Sequence, residues 1–161
     1  MSYWALDDIT VNDNSTHQDQ IRGARQVYTM SDLWGMGVTD SSFYGFSNCG
    51  YAFHTYSAGQ TKQRAIVATV AGSVTGISCR YDMTAATGTG CKVIVCVNEN
   101  IVYSLSLGST VASNQTGVAT QARGIDTFSA GDTIGIYLQG ETGSTATCDD
   151  LYLLIETYVD A

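Results

Sequence analysis

The sequence predicts an all-β protein built as an antiparallel sandwich, and three observations lead to this class. Charged residues make up 14% of the 161-residue chain, below the roughly 25% of an ordinary soluble domain, which disfavours helices rich in Glu, Lys and Arg. Short runs that alternate apolar and polar residues recur from about residue 41 onward, and this period of two is typical of strands. Turn-forming Gly, Ser and Asn separate the runs at short intervals, without the strand–helix alternation of α/β proteins.

Residues 1–40 differ from the rest and predict an irregular N-terminal arm. They hold both tryptophans of the chain and a polar run over 12–20. The stretch 21–36 has neither clean alternation nor a helical face, so we interpret the region as an extended arm or a set of long loops laid on another surface. Ser31 and Asp32 are suited to cap one short helical turn within it. We therefore expect an arm of residues 1–40 that contacts a capsid or another partner, and a sandwich body of residues 41–161.

The body contains nine stretches with strand character. The clearest β-hairpin joins two β-branched runs, 91–97 and 101–107, across the three-residue polar loop 98–100. The chain has no proline, so its edge strands need protection by pairing, by coverage or by neighbouring subunits. In chain order, the expected strands are 42–46, 51–56, 63–71, 74–83, 91–97, 101–107, 116–122, 132–139 and 149–159.

The charge balance excludes two classes of partner. Fifteen acidic residues stand against seven basic ones, for a formal net charge of −8. Nucleic-acid binding depends on clustered Lys and Arg that neutralise phosphates, and the few basic residues form no such stripe. No apolar run reaches the roughly 18 residues of a membrane span, and the N-terminus lacks the features of a signal peptide. We expect neither nucleic acid nor a membrane as a partner.

The five cysteines are predicted to be reduced and buried. An odd number leaves at least one without a partner in the chain, and without a signal peptide thiols serve best as small apolar side chains. Cys91 and Cys96 are an odd number of positions apart on one strand, so they point to opposite faces and neither share a zinc ion nor bond each other. The cysteines are Cys49, Cys79, Cys91, Cys96 and Cys148.

No catalytic, cofactor or metal motif is assembled in the sequence. The histidines are His17 and His54, and a pair formed by Cys49 and His54 has no nucleophile signature around it. The paired acids Asp149–Asp150 are interpreted as turn or cap residues at a strand end. We expect a protein that is not an enzyme and binds no cofactor and no metal.

The tyrosines are the remaining chemical signal. Tyr44, Tyr51 and Tyr56 come close together in the sequence and are suited to stacking on sugar rings or to a contact between subunits. Tyrosine in strands also commonly lies at the rim of a core. The three residues therefore remain candidates for a glycan site, a subunit contact or the core.

The segment 128–138, Phe-Ser-Ala-Gly-Asp-Thr-Ile-Gly-Ile-Tyr-Leu, resembles the penultimate-strand region of compact trimeric jelly rolls. These include tumour-necrosis-factor-like domains and many bacteriophage tail-fibre tips and capsid decoration proteins. There a Gly-Asp turn, here Gly131–Asp132, opens a strand that runs towards the trimer axis, and a hydrophobic last strand follows, as 151–159 does here. The resemblance implies a jelly-roll-like sandwich and a homotrimer with closed three-fold symmetry.

Together these observations predict a structural virion protein, a trimeric capsid decoration or cement protein of a bacteriophage that is assembled in the host cytoplasm. The alternative is a fibre-tip or lectin-like module that binds host surface glycans, and a small hydrolase is the least favoured reading. In the main interpretation the N-terminal region binds the major capsid protein or another virion protein through apolar and aromatic anchors. These anchors are Tyr3, Trp4, Leu6, Ile9, Val11 and Trp34.

Overall fold

The computed structural model describes residues 23–33, 36–39, 42–46, 54–57 and 65–160, and within these ranges the chain forms twelve strands and no helix. No helix among the described residues therefore has the length and apolar character needed to cross a membrane. The strands are β1 (Gly23–Leu33), β2 (Met36–Thr39), β3 (Ser42–Phe46), β4 (His54–Ser57), β5 (Ala65–Val67), β6 (Gly72–Ala86), β7 (Cys91–Val97), β8 (Asn100–Gly108), β9 (Ala112–Thr120), β10 (Asp126–Phe128), β11 (Thr133–Gly140) and β12 (Thr145–Asp160).

The strands form two antiparallel sheets of six strands each. In sheet A, β12 and β6 are the central strands; β1 and β2 pair with the outer side of β12, and β10 and β9 pair with the outer side of β6. In sheet B the order is β4–β3–β11–β7–β8, and β5 extends the edge of β11 beside β3. The predicted all-β sandwich is confirmed.

The connections between the sheets are those of a jelly-roll-like fold. The chain passes from β6 in sheet A to the β7–β8 hairpin in sheet B, returns to β9 and β10, crosses to β11 and ends on β12. Strands of different sheets approach each other along both long sides of the sandwich, because β8 contacts β9 and β2 contacts β3 without backbone pairing. Such crossings turn two antiparallel sheets into one domain with a single core.

The core lies between the two sheets and follows from strand alternation. On β12, Leu151, Leu153 and Ile155 occupy alternate positions and are buried, as are Val93 and Val95 on β7. Complete burial of such a side chain stabilises the fold by roughly 1.5–3 kcal/mol. The predicted alternation on β6 is also confirmed, with Ile77, Cys79 and Tyr81 buried and Arg80 exposed.

The β7–β8 hairpin is confirmed, but its turn is tighter than predicted. Val97 pairs with Asn100, which leaves only Asn98 and Glu99 in the turn. Their φ angles are 48° and 68°, as required at both central residues of a type I′ turn, the two-residue turn whose twist matches that of paired strands. The Asn98 side chain donates to Asp132 Oδ1 at 2.7 Å and accepts from the Thr133 backbone N–H at 3.0 Å, so it ties the hairpin to the start of β11.

Of the two alternatives for 21–36, an extended arm or long loops, the described part is extended and forms a strand. Strand β1 pairs with β12 from Gly23↔Asp160 to Leu33↔Leu151, and the helical turn expected near Ser31 is instead part of this strand. Pairing along the edge of β12 supplies hydrogen bonds that local periodicity does not reveal. Residues 1–22 lie outside the described residues.

Several other boundaries also differ from the sequence predictions. The stretch 63–71 contributes only the short strand β5, and the short strand β10 was not predicted. The acids Asp149 and Asp150 lie inside β12 rather than at its end, at an irregularity of its pairing with β6 where Asp150 has a φ of 47°. The interpretation as strand-end caps is therefore wrong, because the strand begins four residues earlier and accommodates the acids in a bulge.

Candidate interaction surface

The outer faces of the two sheets differ in how far they are covered. On the side of sheet B away from the core, Ile94, Cys96 and Tyr137 form a second buried cluster, and none of them is more than 1% exposed. On the corresponding side of sheet A, Tyr152 is 43% exposed and Val118 is 69% exposed. Among the described side chains, the outer face of sheet A therefore exposes large apolar groups where the Ile94–Cys96–Tyr137 cluster of sheet B does not, although Val67 and Ile101 on strands of sheet B are also exposed.

Strand register sets the layout of this surface. Tyr152 on β12 pairs with Arg80 on β6, which pairs with Thr116 on β9. The next outward row contains Leu154, Ser78 and Val118, and the one after it contains Glu156, Gly76 and Thr120. We call this surface the sheet A face and define it by Arg80, Thr116, Val118, Arg123, Tyr152, Leu154, Glu156 and Tyr158.

Two tyrosine–arginine contacts frame the apolar row of the sheet A face. The Arg80 guanidinium lies 5.9 Å from the centre of the Tyr152 ring, and the Arg123 guanidinium lies 4.2 Å from that of Tyr158. The Arg80 side chain also donates a hydrogen bond to Asn114 Oδ1. Cation–π contacts of this kind contribute about 0.5–1 kcal/mol at exposed sites and hold both side chains in place.

The polar groups of the face are also fixed by neighbours. Thr75 Oγ1 donates to Glu156 Oε1 at 3.3 Å, so the one carboxylate in the middle rows is oriented along the sheet. At the far end, Asp82 Oδ1 accepts the Asn114 backbone N–H at 2.6 Å, where Asn114 has a φ of 57°. Asp82 therefore stabilises a turn of the backbone in β9.

The sheet A face shares part of its composition with the centres of protein–protein contacts, although its Glu156 belongs to a type that is depleted there. Tyr and Arg are enriched at the centres of such contacts, and Lys is depleted. The face has two of each enriched type around Leu154 and Val118, and it contains no lysine. The cation–π contacts restrict the side chains of both arginines and both tyrosines, which reduces the rotamer entropy that these four residues lose on binding.

Strand β9 adds an open edge beside the sheet A face. It pairs with β6 on one side, and no described strand pairs with its other side. Its sequence, Ala-Ser-Asn-Gln-Thr-Gly-Val-Ala-Thr, contains neither Lys nor Pro, the residues that commonly block pairing between edges. Within the described residues, the edge of β9 and the sheet A face therefore lie side by side.

The catalytic and metal candidates lie only partly within the described residues. Within the described residues, no group of three or more His, Cys, Asp or Glu side chains is arranged to hold a metal ion. His54 lies on β4 opposite Gly45, whereas Cys49 and His17 are outside the described residues. The prediction that Cys91 and Cys96 face opposite ways is confirmed, because Cys91 belongs to the main core and Cys96 to the outer cluster of sheet B.

Most of the predicted contact residues lie outside the described residues. Tyr44 lies on β3 opposite Leu138, and Tyr56 lies on β4 opposite Phe43, which itself pairs with Gln139. The two tyrosines thus hold positions in adjacent rows of sheet B, and the register does not place them in one row. The candidates Tyr3, Trp4, Leu6, Ile9, Val11, Trp34 and Tyr51 lie outside the described residues.

The sheet A face was not predicted, although one signal for it is present in the sequence. The stretch 151–159 has apolar residues at both odd- and even-numbered positions, which point to opposite faces of the strand. Leu151, Leu153 and Ile155 fill the core, whereas Tyr152 and Leu154 lie on the other face. A strand with one solvated face carries polar residues there. Apolar residues on both faces of a last strand therefore indicate a second contact surface.

Comparison with known proteins returns neither a matching family model nor a similar curated sequence. The class of the protein therefore follows from the fold alone: an all-β, jelly-roll-like sandwich.

Proposed function

We propose that the protein is a structural protein of a virion, a capsid decoration protein that assembles as a homotrimer. The observation that carries the proposal is the sheet A face, where two tyrosine–arginine contacts surround the row of Leu154 and Val118. A surface of this chemistry supports a permanent contact with another protein. The resemblance of 128–138 to trimeric jelly rolls of bacteriophages supports the choice of the class.

Self-association explains both the exposed apolar residues of the sheet A face and the unpaired edge of β9. The edge of β9 and the sheet A face are different surfaces, so contact between the edge of one copy and the face of the next is heterologous. Heterologous contacts close into a ring when the rotation between copies is suitable, and a closed ring leaves no edge exposed. A trimer of this kind buries Val118, Tyr152 and the free side of β9 in one interface.

Attachment to the capsid is assigned to the N-terminal region. In this proposal Tyr3, Trp4, Leu6, Ile9 and Val11 supply apolar anchors, and the body projects from the particle. The negative charge of the chain favours solubility of the projecting body. The major capsid protein is the partner proposed for this segment.

The proposal is tested on virions of the virus that encodes the chain. We expect mass spectrometry of gradient-purified particles to detect the protein in stoichiometric amounts relative to the major capsid protein. Particles assembled with a chain lacking residues 1–20 should lose the protein from the capsid fraction, while the free variant keeps the oligomeric mass of the full chain. Full occupancy of capsids by the truncated chain would contradict the assignment of the N-terminal region.

A control separates capsid attachment from recognition of sugars. A fibre-tip or lectin-like protein would be retained by a panel of immobilised host-surface glycans and released by the free sugar. We expect no retention of the full-length protein on such a panel. Specific retention, together with a low copy number per particle, would support the alternative of a receptor-binding module.

A further inference from the structure

Two cysteine side chains meet in the core between the sheets, away from the sheet A face. Cys91 begins β7 in sheet B, and Cys148 lies on β12 in sheet A, 57 positions further along the chain. Their Sγ atoms are 3.5 Å apart, and both residues are 0% exposed. The two sulfurs are in contact, and side-chain rotation must shorten their separation to the roughly 2.05 Å of a disulfide bond.

Both thiols are free and buried in this structure, as the sequence predicts. We propose that Cys91 and Cys148 also form a disulfide when the chain folds in the presence of an oxidant, and that the core then encloses the bond as the two sheets dock. In this step the two thiols give up two electrons and one S–S bond forms between them. A small disulfide such as oxidised glutathione accepts the electrons, and its S–S bond breaks. The two protons of the cysteine thiols are carried by the two glutathione thiols that are released.

Burial confines the reaction to the period of folding. The thiolate is the form that attacks a disulfide, and the adjacent Cys91 thiol, together with burial, raises the pKa of Cys148 above its usual range. No oxidant reaches sulfur atoms that are closed off from solvent. A reduced pair therefore stays reduced after folding, and for the same reason a bond that has formed resists reductants.

The position of the other cysteines makes the pairing specific. Cys96 lies on the same strand as Cys91 but on the opposite face of sheet B, so it does not approach Cys148 in the native core. Met83 Sδ is 3.9 Å from Cys148 Sγ and fills the space beside the pair without forming a bond of its own. Cys79 is buried in the same core, but Cys91 is the thiol in contact with Cys148.

The test compares two refolding conditions for the full chain. Protein that has been unfolded and reduced is refolded either in a mixture of oxidised and reduced glutathione or in dithiothreitol, then alkylated and mapped by peptide mass spectrometry. We expect a peptide linking Cys91 to Cys148 only after refolding with glutathione. Because the bond closes a loop of 57 residues, the midpoint of thermal unfolding should rise by roughly 8–15 °C.

Matched variants and a timing control complete the experiment. Cys148→Ala should abolish the linked peptide and the shift in midpoint, whereas Cys96→Ala, which removes a buried cysteine from the other face of the same strand, should keep both. Reduced protein that is already folded should gain no link during hours in the same glutathione mixture. Two results would overturn the proposal: native protein refolded in glutathione without the 91–148 link, or folded protein that acquires the link as fast as refolding protein does.

Discussion

The Tyr81 hydroxyl donates a 2.6 Å hydrogen bond to the backbone carbonyl oxygen of Leu107 inside the core. Tyr81 lies on β6 of sheet A and Leu107 on β8 of sheet B. The bond therefore joins the two sheets and satisfies a buried donor that would otherwise oppose folding.

Tyr81→Phe removes the donor and leaves the Leu107 carbonyl buried without it. We expect the free energy of unfolding to fall by roughly 1–2 kcal/mol, the cost of an unmade buried hydrogen bond. Urea titration followed by far-UV circular dichroism of the strands measures the change. Ser106→Ala is the control, because Ser106 is exposed beside Leu107 on β8 and its loss of a hydroxyl should change stability by less than about 0.5 kcal/mol.

Alkaline pH should weaken the fold through buried groups whose pKa is raised, among them Cys79 and Tyr81 as well as Cys148. Burial raises the pKa of Cys79 from 9.0 to about 11 and that of Tyr81 from 10.0 to about 12. Between those values the unfolded chain releases the proton while the folded chain keeps it, so the unfolded state gains stability as the pH rises. The loss approaches about 1.4 kcal/mol per pH unit for each group.

The pH dependence is measured as the free energy of unfolding from pH 8 to 12. Full stability is expected below pH 9, with a steady loss above it. Tyr81→Phe should remove the contribution between pH 10 and 12 and leave that of Cys79 between pH 9 and 11. A flat profile across the whole range would contradict the burial of these groups.

Acid should act through Asp132, which accepts the Ser129 backbone N–H and the Asn98 side-chain amide, each at 2.7 Å. These donors lower the pKa of Asp132 below its ordinary 3.8. Its contribution is therefore present above about pH 4 and is lost as the pH falls through the lowered value. Thermal unfolding from pH 6 to 2 should show a smaller acid-induced decrease in Asp132→Asn than in the native sequence; identical profiles would exclude this role.

Gly90 is required by both its backbone conformation and its surroundings. Its φ is +87°, and a Cβ atom at this position would lie 1.6 Å from the Gly108 carbonyl oxygen. Gly90→Ala should therefore destabilise the protein by about 3 kcal/mol or more. Gly124→Ala is the control, since Gly124 has a similar φ of +83° but open space around it, and its cost should be about 1 kcal/mol.

Much of the fold is predictable because it depends on local patterns. The alternation of Ile77, Cys79 and Tyr81 against Arg80 identified β6, and the polar residues at 98–100 identified the hairpin. Strand β1 was not recognised, because its pairing with β12 joins Gly23 to Asp160 at the other end of the chain. Local sequence carries no sign of such a partner.

The sheet A face illustrates a second limit. Arg80 and Tyr152 are 72 positions apart, and only the register between β6 and β12 brings them into contact. The irregularities in that register, at Asp149 and Glu156, shift which residues share a face. The sequence of β12 alone therefore places Leu154 on the outer face, but it does not show which residues of neighbouring strands lie beside it.

The central claim is that the sheet A face holds copies of the chain together, and Val118 is its most exposed apolar residue. Sedimentation equilibrium at micromolar concentration should give three times the chain mass for the native sequence and the mass of one folded chain for Val118→Arg. Val67→Arg replaces a similarly exposed valine on β5 of sheet B and should leave the trimer intact. A native sequence that sediments as a monomer, or a Val118→Arg variant that remains a trimer, would contradict the claim.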